Sequence, residues 1–249
     1  MKIYGLAGFP LTHSFSKKYF TEKFIREGLR DCSYENFELN DIRELSRIIS
    51  ENPFICGFNV TIPYKEKVMD ILDEVDETAA VIGAVNTIKV NRSKNNLCIK
   101  GYNTDFIGFE KSIKPLIKSY HKKALILGTG GSSTAVAFVF GKIGIDFRKV
   151  SRLKSEVDLH YDEITPEMLQ DFQIIINCTP LGMFPAIDKF PQLPYQSLTE
   201  QHFLFDLVYN PAVSVFLQKG KESGTTIKNG YEMLCIQADE AWKIWNQTL

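Results

Sequence analysis

Short apolar runs rich in β-formers alternate with amphipathic helical stretches along the chain, an order that predicts α/β architecture. Lys2–Leu6 reads as a strand and Phe15–Glu27 as a helix closed by Gly28, since glycine tolerates the left-handed backbone at a helix C-terminus. A strand over Tyr34–Leu39, a helix from Asp41 to about Ser50 and a strand over Phe54–Val60 follow. Asp41 and Glu44 have the spacing of a capping box. Ala84–Val90 and Leu97–Gly101 read as paired strands across the polar turn NRSKNN.

A second unit is expected after Asp105. Ala124–Leu127 is a short apolar strand, followed by GTGGSS and then a small-residue helix to about Gly144. Strands near Phe147–Ser151, Gln173–Asn177, Phe203–Val208 and Thr225–Lys228 continue the series. Strand, glycine turn, helix and strand is the order a doubly wound nucleotide-binding domain requires. Tyr231 to Leu249 carries Met233, Leu234, Ala241, Trp242 and Trp245 at roughly helical spacing, and Pro180 to Pro194 reads as the longest loop.

Composition narrows the picture by exclusion. The 249 residues leave room for two modest domains, and 44% hydrophobic residues suffice for their cores. Lysine and arginine number 29 against 30 acidic residues, so no overall field draws in nucleic acid or an anionic membrane, and a small-molecule partner is expected. The opening MKIYGLAGFP is broken by Gly5, Gly8 and Pro10, and no later stretch approaches the roughly 18 apolar residues of a membrane span. Cys32, Cys56, Cys98, Cys178 and Cys235 are odd in number and lack CxxC spacing. Neither a disulfide framework nor a metal site is expected, which suits a reducing cytoplasm.

The glycine turn is the first candidate for chemistry. Gly128, Gly130 and Gly131 let the backbone turn tightly and approach a pyrophosphate, which the N-terminus of the next helix would bind through its N–H groups. The alternative is a merely tight turn. An NAD site usually places an acid about 20 residues further on to hold the ribose 2′-hydroxyl. Here that stretch is Val150-Ser151-Arg152-Leu153-Lys154, with two cations and no acid. Arg152 could hold a 2′-phosphate through paired hydrogen bonds, so NADP is expected as cofactor. Lys154 is equally a solvated surface lysine.

In the first unit, polar residues gather at strand ends. Asn59 and Thr61 leave a strand just before Pro63, which suits the first turn of a helix and would set Lys65 near its start. The helix dipole disfavours a lysine there, so a structural role explains it poorly. Asn86 stands at another strand edge, and Asp105 ends the last strand of the unit, where it could serve as an N-cap. Ser14 and Ser16 are caps by habit but could equally hold a carboxylate.

These segments resemble the shikimate dehydrogenase family along nearly the whole chain. HSFS (His13–Ser16) is similar to the family's HSxSP motif, NVTIPYK to NVTxPxK, GAVNT (Gly83–Thr87) to GAxNT and GYNTD (Gly101–Asp105) to GxNTD. GTGGSS matches its glycine turn and NCTPLGM (Asn177–Met183) its NxTxxGM stretch, and DLVYNP and GYEMLCIQ complete the order. Two departures stand out. Lys17 replaces the proline after the serines, and Ser151-Arg152-Leu153 replaces the family's Asn-Arg-Thr.

The resemblance implies an N-terminal α/β substrate domain, a Rossmann-like NADP-binding domain and a cleft between them. Their expected extents are residues 1–103, joined by a C-terminal helix over 235–249, and residues 104–234. It implies reversible reduction of 3-dehydroshikimate to shikimate with NADPH. Lys65 and Asp105 would be catalytic. Ser14 and Ser16 would bind the substrate carboxylate, and Asn59, Thr61, Asn86 and Gln237 the ring hydroxyls and pocket floor, with Tyr209 near the carboxylate. Gly128, Gly130, Gly131 and Ser132 would hold the pyrophosphate. Ser151, Arg152 and Lys154 would serve the 2′-phosphate, and Thr179, Val208, Gly230 and Met233 the nicotinamide half. A monomer and a homodimer both fit. A quinate/shikimate enzyme using NAD, or a ligand-sensing relative without catalysis, are the alternatives; a sensor would be expected to lack Lys65 or Asp105.

Overall fold

The computed structural model describes residues 1–11, 14–93, 96–153 and 158–247. The chain divides into two compact units, Met1–Asp105 with Gln237–Leu249, and Phe106–Ile236.

The first unit opens with β1 (Lys2–Gly8), α1 (Phe15–Arg26), β2 (Cys32–Glu38), α2 (Glu44–Glu51) and β3 (Ile55–Val60). A short β4 (Glu74–Val75), α3 (Glu77–Ile82), β5 (Thr87–Ser93) and β6 (Asn96–Tyr102) follow. The sheet order is β2-β1-β3-β5-β6-β4, parallel among β2, β1 and β3 and antiparallel through β5. One face carries a core of Phe58, Val60, Leu45, Ile49 and Ile88. The other carries an aromatic cluster that includes Tyr4, Phe20, Phe24, Tyr34 and Trp245.

Two local expectations change. Glu44 does reach back to the Asp41 amide at 3.0 Å, as in a capping box, but the Asp41 carboxylate accepts from the Arg43 amide and guanidinium instead. The helix therefore begins at Glu44. No α-helix starts at Pro63. A turn closed by the Tyr64 amide on the Thr61 carbonyl leads into a short 3₁₀ segment, Lys67–Ile71, so Lys65 does not face a helix dipole.

The second unit contains most of α4 (Asp105–Ile113), then β7 (Lys123–Leu127), α5 (Gly131–Ile143), β8 (Asp146–Ser151), β9 (Leu159–His160) and α6 (Pro166–Asp171). After it come β10 (Ile174–Asn177), β11 (Phe203–Asp206), α7 (Val215–Glu222), β12 (Thr226–Asn229) and α8 (Tyr231–Asn246), whose last part belongs to the first unit. The sheet is wholly parallel with the order β12-β11-β10-β7-β8-β9, the arrangement of a doubly wound dinucleotide-binding fold. Such sheets are covered on both faces, which is why β7, β10 and β11 are almost unbroken apolar runs. Phe109, Val136, Phe140 and Phe205 fill one side, and Leu125, Leu169, Leu204 and Phe216 the other.

The end of α8 returns a buried stripe, Ala238, Ala241 and Trp245, to the aromatic cluster. Trp245 stacks on Tyr4 at 4.8 Å between ring centres and donates its indole N–H to the Ile88 carbonyl at 2.9 Å. Gly57 on β3 is required beneath it, because a Cβ there would collide with the indole nitrogen. Gln237, two turns before Trp245, is thereby fixed in the first unit.

Candidate active site

Adjacent strands deliver the polar residues of the first unit to one place. In the register of β3, β5 and β6, Asn59 lies opposite Thr87 and Thr87 opposite Tyr102. Asn86 just before β5, and Thr104 and Asp105 just after β6, therefore come together at one edge.

Asn86 is the centre, almost wholly buried. Its Nδ2 faces Asp105 Oδ1 at 2.8 Å, Thr104 Oγ1 at 3.0 Å and Gln237 Oε1 at 3.2 Å. Its Oδ1 accepts from the Thr104 amide at 2.7 Å and from the Thr87 hydroxyl at 3.1 Å. Those donors fix the amide's orientation, so its N–H₂ points at the carboxylate. The other Asp105 oxygen, Oδ2, lies 2.5 Å from Lys65 Nζ, and the two side chains are 7% and 14% exposed. The Lys65 backbone is held as well, since its carbonyl accepts from the Val85 amide at 2.7 Å. The lysine thus owes its place to a carboxylate partner and a tethered backbone.

Ser14 caps α1 and accepts from the Ser16 amide at 3.3 Å. The Ser16 hydroxyl bonds the phenol of Tyr34, which is buried and whose pKa burial pushes well up. That phenol donates to Asn59 Oδ1 at 2.8 Å, and Asn59 Nδ2 turns to the Asn86 carbonyl and the Thr87 hydroxyl. Both polar ends of Asn59 are therefore engaged by protein, as are those of Asn86. Thr61 is half-buried in the turn after β3, its amide on the Ala7 carbonyl. His13, in the HSFS segment, lies outside the described residues. Sequence reasoning did not single out Thr87, Thr104 or Tyr34. Thr87 and Thr104 stand inside motifs already noted, whereas nothing local marks a strand tyrosine as a partner of Ser16 and Asn59.

In the second unit, Gly128 adopts φ +105°, and a Cβ there would sit 3.1 Å from the Thr179 methyl. Around Gly130, the N-cap of α5, a Cβ would meet nothing within 4 Å, and the first turn of α5 has no acid. The Ser133 hydroxyl folds back on the Gly130 carbonyl at 2.7 Å. An open glycine face at the start of a thirteen-residue helix fits a pyrophosphate group. Ser151 ends β8 and its hydroxyl accepts from the Leu153 amide at 3.0 Å, shaping the turn that exposes Arg152. No acid occupies the described end of this strand, so the residues present suit a 2′-phosphate better than a free 2′-hydroxyl. Lys154 lies outside the described residues.

Thr179, Val208 and half-buried Tyr209 stand on the segments leaving β10 and β11. Gly230 passes so close to the Leu207 carbonyl that a Cβ has no room. Met233 packs into the core with Phe109 and Phe205. All five cysteines are thiols, and burial pushes Cys32 up to about 11. Among the described residues no cluster of acids, histidines and cysteines could hold a metal ion, and no helix is long and apolar enough to cross a membrane.

Known proteins resemble this chain over nearly its whole length. Residues 6–88 match the model of the shikimate dehydrogenase substrate binding domain. A shikimate dehydrogenase (NADP(+)) of Aquifex aeolicus is 36% identical over 256 residues, covering 98% of this chain and 91% of the relative. A crystal structure of a shikimate dehydrogenase in complex with NADP⁺ superposes with a TM-score of 0.84 at 34% identity, covering 99% of this chain and 90% of that one. The Thermus thermophilus enzyme, solved with NADP(H) and shikimate, gives 0.85 at 28% identity over 100% and 95% of the two chains. With such identity across nearly the full length of both partners, the chain belongs to the shikimate dehydrogenase family.

Proposed function

We propose that this protein catalyses the reversible NADPH-dependent reduction of 3-dehydroshikimate to shikimate, a step toward the aromatic amino acids. The observation that carries the reading is the Lys65–Asp105 pair, held from behind by Asn86 and shielded from bulk water. The first unit binds the substrate and the second binds NADP. The enzyme works in the cytoplasm, where its thiols stay reduced.

When bound, NADPH supplies the hydride for the carbonyl carbon at C3. The Lys65 ammonium donates a proton to the carbonyl oxygen, leaving a neutral amine that solvent reprotonates; in the reverse direction the amine takes the hydroxyl proton. Asp105 aims the lysine and accepts a hydrogen bond from the substrate. Proton transfer by a positioned group contributes about 10²–10⁴-fold, and holding the reactants in register supplies much of the rest. The Ser14 and Ser16 hydroxyls and Tyr209 receive the carboxylate, while Asn59, Thr61, Asn86 and Gln237 serve the ring hydroxyls and the pocket floor. Gly128, Gly130, Gly131 and Ser132 hold the pyrophosphate, with Arg152, Ser151 and Lys154 at the 2′-phosphate. Thr179, Val208, Gly230 and Met233 serve the nicotinamide half, with Met233 acting from the core behind it.

The test is reduced-nicotinamide absorbance with purified protein, offering shikimate or quinate with NADP⁺ or NAD⁺. Turnover confined mainly to shikimate with NADP⁺ is expected, and Arg152→Ala should erase most of the preference for NADP⁺. No turnover by folded protein with any pair would overturn the assignment.

A further inference from the structure

Asp206, at the C-terminal end of β11, has no part in the chemistry above, yet it is fully buried with no cation among its hydrogen-bond partners. A carboxyl group taken out of water is costly unless its oxygens are well bonded. Here Oδ1 accepts from Asn177 Nδ2 at 2.9 Å and from the Val208 amide at 3.0 Å, and Oδ2 accepts from the Ser214 hydroxyl. Each donor belongs to a different piece of chain. Asn177 ends β10, Val208 lies in the segment after β11, and Ser214 caps α7.

The network continues through Asn177. Its Oδ1 accepts from the Thr179 hydroxyl at 2.6 Å and the Thr179 amide at 3.1 Å, and its Nδ2 also reaches the Leu181 carbonyl at 3.3 Å. Thr179 in turn packs its methyl where a side chain on Gly128 would stand. A continuous chain of contacts therefore runs from the α7 N-cap through Asp206, Asn177 and Thr179 to the glycine turn.

Strand order says what lies over this chain. From β7 the sheet grows through β8 and β9 to one side, then returns to grow through β10, β11 and β12 on the other. A dinucleotide crosses such a sheet at the reversal, with its pyrophosphate at the helix after the first strand and its halves on opposite sides. Arg152, at the end of β8, marks the adenosine side. The segments after β10 and β11 therefore form the floor of the nicotinamide side, and Asp206 is what joins them.

We infer that Asp206 is a positioning residue for the nicotinamide half of the cofactor: by bonding Asn177, Val208 and Ser214 together it sets the two segments on which that half rests. This rests on the reading that the second unit binds NADP. The carboxylate itself touches neither cofactor nor substrate.

Two ligands separate this role from general support of the fold. NADPH spans both halves of the site, whereas adenosine 2′,5′-bisphosphate occupies only the adenosine side. Dissociation constants for both are measured by fluorescence or calorimetry on wild type, Asp206→Ala, Asp206→Asn and Ser214→Ala. Asp206→Ala should weaken NADPH about tenfold or more and leave the bisphosphate within about twofold, the loss of two to three buried hydrogen bonds being ample for that change. Asp206→Asn, which offers the same oxygen to Asn177 and Val208, should restore NADPH binding to within about threefold. If Asp206→Ala fails to fold, Ser214→Ala carries the test, with NADPH weakened about threefold and the bisphosphate unaffected. Equal weakening of both ligands, or unchanged NADPH affinity in a folded variant, would overturn the inference. Failure of the wild type to bind the bisphosphate would instead remove the NADP reading beneath it.

Discussion

Lys65 Nζ and Asp105 Oδ2 stand 2.5 Å apart across 40 residues of sequence, and the second carboxylate oxygen is tied to Asn86. The lysine is consequently aimed by a group that cannot swing away. Lys65→Met should lower kcat about 10²–10⁴-fold while the KM for shikimate moves only a few-fold, because the substrate is held by other residues. Steady-state kinetics decide it: a Lys65→Met variant turning over within a few-fold of wild type removes the lysine from the proton transfer.

Asn86 joins several partners of the site, and truncating it orphans more than one at once. Asn86→Ala leaves the Thr104 amide and Asp105 Oδ1 without their bonds in a buried place. Each such group costs about 1–3 kcal/mol, so the variant should lose about 2–6 kcal/mol in urea unfolding as well as kcat. Full stability combined with lost activity would mean that water or relaxation replaces these bonds, and that Asn86 acts on the substrate alone.

How much of the fold and site is legible in the sequence depends on the range of the interactions. The apolar strand Ala124–Leu127 and the glycine turn behind it are local signals, and they lie where expected within β7 and before α5. The start of α2 shifts because Arg43 captures the Asp41 side chain, a competition that spacing alone does not show. The helix expected at Pro63 is absent, and Lys65 owes its place to Asp105 and Val85, both distant in sequence. Asn59 accepts from the Tyr34 phenol, 25 residues earlier, a partner that no local pattern indicates. Two-residue strands such as β4 and β9 are too short to leave a period.

Gly57 and Trp245 make a test of how the C-terminal helix is held. The indole is gripped by Tyr4, by Phe20 at 5.3 Å and by the Ile88 carbonyl, so it cannot yield to a new methyl group. Gly57→Ala should therefore cost about 2–4 kcal/mol through overpacking and the lost indole bond. Because the same helix carries Gln237, kcat/KM for shikimate should fall along with stability. Denaturant unfolding of the variant within about half a kcal/mol of wild type would show that the helix end can shift at little cost.

The buried Asp206 predicts a dependence of stability on pH whose sign is definite. Burial raises its pKa from the ordinary aspartate range to about 6, outweighing the Ser214, Val208 and Asn177 bonds that act in the opposite direction. Tyr195 senses the same carboxylate and is itself pushed up, chiefly by burial, so it stays neutral throughout this range. The folded state therefore holds a proton that the unfolded chain releases near about pH 4. Between about pH 4 and 6 the folded form binds more protons, and stability falls as pH rises. Above this window both states are ionised, and a displacement from about 4 to about 6 corresponds to about 3 kcal/mol. Asp206→Asn cannot ionise and should escape this loss. Its stability relative to wild type should rise by about that amount from about pH 4 to about pH 7, read from urea unfolding at each pH. A constant difference across the window would mean that Asp206 ionises in the fold as easily as in water, and that its three hydrogen bonds fully offset its burial.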